Sequence, residues 1–296
     1  MLKLNVLSGF GGGSAVRDSG SGYNSGGESS NVIDKFPFST DTNATDVGDL
    51  TVARYSTAGQ SSSTHGYTSG GNVGPYDVID KFTFTSDANA TDVGDLTVAR
   101  TNLAGQSSST YGYASGGLVD PTKQNVIDKF TFASDANATD VGDLTGSNYS
   151  VSGQSSSTYG YTSGGGHPNI DVIDKFTFAS DANAADVGDL TETKRNLAGH
   201  SSSTHGYVSG GWGATYRNAI EKFTFASDAN ATDVGDLLAG IESVTGQSSA
   251  NHGYTTHGGG DSIQKFTFAS DNNSTSVGSL STGVSRSQCA GQSYVI

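Results

Sequence analysis

The stretch KFTFASDANATDVGDL, Lys129–Leu144, decides how this chain is read. Its first residues alternate aromatic with polar, the period of a half-buried strand. The segment SDANA follows, and short Asp and Asn side chains bond their own backbone two residues on, which favours turns. The residues TDVGDL then resume an extended pattern. Lys-Phe pairs opening copies of this phrase stand at 35, 81, 129, 175, 222 and 265, at intervals of 46, 48, 46, 47 and 43 residues. A second marker, GY-x-SGG, starts at Gly22, Gly66, Gly112, Gly160 and Gly206, and is worn to GYTTHG from Gly253. A third, AGQS or a near variant, starts at Ala58, Ala104, Ser152, Ala198, Thr245 and Ala290. Self-similarity at a period of about 45 residues marks a repeat architecture.

Each unit predicts four short strands. GQSSST is the first, turned back at a His-Gly or Tyr-Gly dipeptide whose glycine is expected to supply a positive φ. YTSGG is the second, ended by the double glycine. DVIDKFTF is the third, and DVGDLTVAR the fourth. Four strands in about 45 residues is the size of a propeller blade. The first strand holds only Ser, Thr, Gln and Gly while the third holds Phe pairs, as expected of blades that converge on an axis and splay outward. The expectation is an all-β fold: a six-bladed β-propeller of four-stranded antiparallel blades over residues 21–296, preceded by a leader over 1–20. The chain enters on a second strand, GYNSGG, and ends on an orphan first strand, CAGQSYVI. Gln292–Val295 is therefore expected to pair beside Tyr23–Gly26 and close the first blade, which removes open sheet edges. The rival is that LSGFGGGSAV supplies a degenerate first strand.

At this point the chain resembles the kelch family. The likeness rests on YASGG at Tyr113–Gly117, IDKF at Ile127–Phe130 and VGDLTVAR at Val93–Arg100, and it spans about residues 22–296. Two departures imply shortened, divergent blades. The family's usual Trp is missing, since the sole Trp, Trp212, falls in a loop. The basic residue is in place at Arg54 and Arg100, with Arg195 offset.

Charge and composition narrow the function. Fifteen Lys and Arg against 29 Asp and Glu give a net charge of −14, which argues against nucleic acid as a partner. No apolar run is long enough to span a bilayer, so no membrane insertion is expected, and the N-terminus does not read as a signal peptide. One cysteine, Cys289, excludes an internal disulfide. The 42 glycines recur at fixed offsets beside Phe, Tyr, Val and Ile, as turns of a repeated fold do.

The acidic phrase offers oxygen donors, Asp135, Asn137, Asp140 and Asp143, of the kind calcium takes. Their spacing is not that of an EF-hand, and the sixth copy carries Ser276 and Ser279 where others have Asp. A structural loop is the expected role, calcium at these loops the alternative, and no cofactor is expected. His65, His205 and His252 share one repeat position with Tyr111 and Tyr159 and are read as hairpin-tip residues. His200 replaces Gln in one blade and is read as a neutral swap. His252 and His257 are a minor candidate metal pair. The serines show no G-x-S-x-G elbow and no His/Asp partner pattern, so no enzyme is expected.

The loops after the double glycine differ most between copies. They are expected to share one face and to carry the binding residues Tyr76, Lys123, His167, Trp212, Tyr216 and Arg217, because exposed Trp, Tyr and Arg are common contact anchors. The segments before the first strand, GSNYS and ETKRN, are expected on the opposite face or the rim. The Ser/Gly-rich dialect is similar to predicted propellers of marine bacteriophages. That resemblance implies a virion protein of the tail or capsid surface, attached through its leader, contacting neighbouring virion proteins or a host receptor or glycan. The alternatives are a cytoplasmic kelch-type scaffold or adaptor, and a lectin-like carbohydrate-binding protein.

Overall fold

The computed structural model describes residues 18–28, 30–74, 76–256, 260–281 and 287–294. Residues 1–17 of the expected leader lie outside them. Six four-stranded antiparallel sheets stand around one axis, their inner strands adjacent in a closed ring. Blade 2 runs from axis to rim as Ala58–Ser61, His65–Ser69, Val78–Thr83 and Thr91–Asp95. Blades 3 to 6 repeat it from inner strands Ala104–Ser107, Ser152–Ser155, Ala198–Ser201 and Thr245–Ser248. Blade 1 is the seam. Its inner strand, Ala290–Tyr294, pairs antiparallel with Ser21–Ser25 in a register from Ser21↔Tyr294 to Ser25↔Ala290. The C-terminal strand thus holds the place for which the leader was the rival.

The predicted turn at His-Gly is displaced. His65 and Gly66 belong to the second strand, and the chain reverses over Ser62–Thr64, where Ser62 Oγ accepts the N–H groups of Thr64 and His65. Gly66 does not have a positive φ. It is glycine because the Phe82 ring of the neighbouring strand lies over it: a Cβ there would stand 2.3 Å from Phe82 Cζ. The space between blades is filled by that ring and its neighbours. Tyr67 of blade 2 stacks on Phe132 of blade 3 at 4.8 Å and meets Phe130 at 5.4 Å. The same trio closes the other five junctions. Tilted and offset-stacked rings at these separations add about 1 kcal/mol per pair beyond their burial.

The repeated acidic phrase binds each blade to the one before it. Asp87, Asp135, Asp181, Asp228, Asp271 and Asp41 pair with Lys35, Lys81, Lys129, Lys175, Lys222 and Lys265 of the preceding blade. Such exposed pairs contribute about 1 kcal/mol at most. The Asn two residues on is more directional: the side-chain oxygens of Asn43, Asn89, Asn137, Asn183, Asn230 and Asn273 accept backbone N–H groups of the preceding outer strand at 3.0–3.2 Å. The next N–H donates to the same strand, as Ala90 does to Asp49 O at 2.7 Å. The glycine of TDVGD makes room for this loop. Gly94, at φ +154°, would carry a Cβ 2.5 Å from Ala136 O. The outer strand ends there, at Asp95, and Leu96 turns into the core instead of extending the strand to Arg100.

Two closed rings of hydrogen bonds hold the axis. Ser56, Asn102, Ser150, Asn196, Ser243 and Gln288, each with φ between 56° and 59°, donate N–H to the carbonyl of the equivalent residue one blade earlier at 2.7–3.1 Å. A left-handed non-glycine residue costs about 1 kcal/mol, which the bonded ring offsets. At the other end, the N–H groups of Ser61, Ser107, Ser155, Ser201, Ser248 and Ser293 donate to the Ser Oγ one blade later at 2.9–3.0 Å. Between the rings lie six glycines with backbone against backbone. A Cβ on Gly105 would meet Gly59 O at 2.2 Å.

His200 is not a neutral swap at acid pH. It is buried in the hub position that Gln occupies elsewhere, with Nδ1 on Gln247 O at 3.2 Å and Nε2 on Ser209 Oγ at 2.9 Å. A ring that accepts from a hydroxyl at Nε2 and donates at Nδ1 is neutral. Burial lowers its pKa to about 4. The unfolded chain therefore takes the proton first, and stability present above pH 6.5 is lost as pH falls toward 4. Denaturant titrations are expected to show about 2 kcal/mol lost to this group between pH 7.5 and pH 5. His200→Gln should abolish that share of the loss, and an unchanged pH slope in the variant would refute the assignment.

Candidate functional site

Antiparallel blades sort the connections onto two faces. The lower face carries the inner hairpin turns and the acidic loops. His65, His205 and His252 open their second strands there. Burial, and then Lys81 and Lys222, lower the first two. His252 contacts Asp18, while His257 lies outside the described residues. The upper face carries the variable loops and the connections to the next blade. GSNYS and ETKRN were expected elsewhere. The structure puts them beside the variable loops, because each outer strand ends on the face where the next inner strand begins. Backbone bridges join the two sets at Tyr55↔Asn72, Thr101↔Leu118 and Arg195↔Trp212.

Three of the four donors named in the acidic phrase are engaged. Asp135 takes Lys81, Asn137 takes the Asp95 N–H, and Asp140 takes the Gly142 N–H. Among the described residues, no group of three or more His, Cys, Asp or Glu side chains is arranged to hold a metal ion.

Three blade junctions bury a basic residue. Arg54 pairs with Asp80 at 3.0 Å and Arg100 with Asp128 at 2.8 Å, all four side chains fully enclosed. In the blade 4–5 junction the cation is Lys194, paired with Glu221 at 2.6 Å, and not the neighbouring Arg195. In one junction the partner changes together with the cation. Where Ile241 replaces it, the acid becomes Gln264, whose Oε1 accepts the Leu238 N–H. Asn148 makes the same backbone bonds in the blade 3–4 junction, where no cation stands at that position, and burial pushes the Asp174 carboxyl above its ordinary range.

Arg195 is thereby released to the upper face, where five of the six expected binding residues meet. A two-residue hairpin, Leu118–Val119 with Thr122–Lys123, carries Lys123 toward blade 4, where its Nζ donates to His167 O. His167 is exposed and stands 5.8 Å from the Tyr149 ring. Asn169, in the same loop, accepts from Arg195 Nη1 at 2.8 Å and donates to Trp212 O at 3.2 Å. Trp212 and Tyr216 pack edge to face at 4.8 Å, Trp212 half-buried and Tyr216 58 % exposed. Arg217 is anchored by Glu192 at 2.8 Å. Tyr76 belongs to blade 2, bonded through its own backbone to Gly71 and Arg100, outside this chain of contacts.

Nine of the cations among the described residues are fixed in the lower ring or the junctions. The other three, Lys123, Arg195 and Arg217, all lie here. Sequence reading missed Asn169, Arg195, Glu192 and Tyr149. The one available signal was the Lys-Arg dipeptide 194–195, which supplies a second cation where other blades have one. No protein-family model matches the chain, and no curated protein matches it.

Proposed function

We propose that this protein is a non-enzymatic interaction disc of kelch-like type on the tail or capsid surface of a bacteriophage virion. Its upper face over blades 3 to 5 contacts a host receptor or glycan, while other surfaces meet neighbouring virion proteins. The observation that carries the reading is the segregation of side chains. Among the described residues the scaffold holds nine cations in fixed pairs of its lower ring and junctions, and the other three, of which Arg217 is held by Glu192, gather beside the sole tryptophan, in the segments that vary between copies. Aromatic and Arg anchors on a rigid frame are the usual composition of a binding hot spot. The Ser/Gly-rich dialect supports the virion setting by its resemblance to phage propellers.

Trp212→Ala is expected to weaken ligand binding on a glycan array about tenfold or more, since truncating an aromatic anchor commonly removes upward of 1–2 kcal/mol. The fold should be untouched, because Trp212 sits in a loop. Unchanged array signals in the variant would remove this face from the reading. Immunogold labelling of purified phage particles tests the setting, and particles without label would sink it.

A further inference from the structure

We infer that the ligand of this face is a carboxylate-bearing polysaccharide, held with its acid group between Lys123 and Arg195 and a sugar ring against Trp212 and Tyr216. This rests on the binding-disc reading above and names the ligand class for it. The loop His167–Asn169 of blade 4 accepts from a cation of each neighbouring segment, Lys123 on His167 O and Arg195 on Asn169 Oδ1. Both acceptors are neutral. Among the described residues neither cation forms an ion pair, although the protein carries a net charge of −14. A guanidinium has five N–H donors in a planar fork and an ammonium three, so each keeps donors for an incoming acceptor.

The surrounding carboxylates limit what kind of anion fits. Glu192 is held by Arg217 and Glu242 by Asn196, while Asp120 stands in the hairpin that carries Lys123 and Asp171 in the strand that follows Asn169. The patch is therefore not a broad positive field for a polyanionic chain, and recognition must be by directed hydrogen bonds to one acid group at a time. The aromatic pair adjoins Arg195 through Asn169 and the Arg195↔Trp212 bridge. An exposed phenol ring braced edge-on by an indole is a flat, rigid platform. It suits the apolar face of a sugar ring better than the irregular side chains of an acidic peptide.

Calorimetric titration of the full chain would use polygalacturonate and polymannuronate as probes. Fully methyl-esterified polygalacturonate serves as the uncharged counterpart and polyglutamate as the peptide counterpart. Both uronate polymers should bind, and esterification should weaken binding about tenfold or more, as expected for loss of a charge-assisted hydrogen bond. Arg195→Gln and Lys123→Gln, which keep the packing, should each weaken uronate binding to a similar extent and leave the unfolding midpoint unchanged. Equal binding of the ester, equal or tighter binding of polyglutamate, or unaltered affinity in both variants would overturn the assignment. Ester binding that still depends on Trp212 would overturn the acid group alone and leave the binding disc standing. Failure of every polysaccharide to bind would count against both.

Discussion

Gly105→Ala is expected to lower the unfolding free energy by about 3 kcal/mol or more, the upper range for overpacking a closed interior. The methyl would sit 2.2 Å from Gly59 O, 2.9 Å from its carbonyl carbon and 3.0 Å from its nitrogen. All three are main-chain atoms, so no rotamer change relieves the clash. Gly59 cannot retreat either, because its own Cα faces Gly291 O in the same way, and the series runs on around the axis. Relief requires widening the whole hub against two rings of hydrogen bonds. Gly146→Ala is the matched control. That residue has open space where the methyl would go and no positive φ. The control should be neutral or slightly stabilising, since Ala narrows the unfolded ensemble. Equal unfolding midpoints for the two variants would mean that the glycine hub is not what sets the blade spacing.

The second large effect lies in the blade junctions. Arg100→Ile should cost about 3–5 kcal/mol, because it strands the enclosed carboxylate of Asp128 without its cation. The pair Arg100→Ile with Asp128→Gln should recover at least half of that loss. It transplants the Ile241 and Gln264 arrangement already present between blades 5 and 6, where the Gln oxygen still accepts the Leu238 N–H. Between blades 2 and 3 the matching group is the Thr97 N–H, 3.0 Å from Asp128 Oδ2. Equilibrium unfolding of the single and double variants measures the coupling. A single substitution costing under about 1 kcal/mol, or a double as unstable as the single, would show that the stranded charge of Asp128 is not what destabilises the junction.

Much of this architecture was legible because the repeat supplies its own controls. The four strands, the blade count and the seam follow from where GQS, GY and KF recur. Small hub residues and large outer ones told the axis from the rim. What failed were inferences about single residues whose role depends on a neighbouring strand or blade. Gly66 looks like a turn glycine locally, yet the Phe82 ring from the adjoining strand dictates it. Arg195 looks like a misplaced copy of Arg54 and Arg100, but Lys194 fills that position and frees Arg195 for the surface. The pairing of the two sets of upper-face segments depends on strand direction, which local composition does not encode. At the candidate site, the variable loops pointed to Lys123, His167, Trp212, Tyr216 and Arg217. Asn169 was hidden because one asparagine among many acquires its role only when Arg195 and Trp212 arrive from the next blade.

The seam has a consequence for how the molecule is displayed. Ser21 and Tyr294 are register partners at the hairpin-turn end of blade 1, and Asp18 leans on His252 at that same end. The chain therefore enters and leaves the disc side by side, on the side remote from Trp212 and Arg195. A group attached at Ser21 or Tyr294 would hang behind the molecule like a handle behind a mirror, keeping the reflecting side unobstructed whichever of the two is grasped.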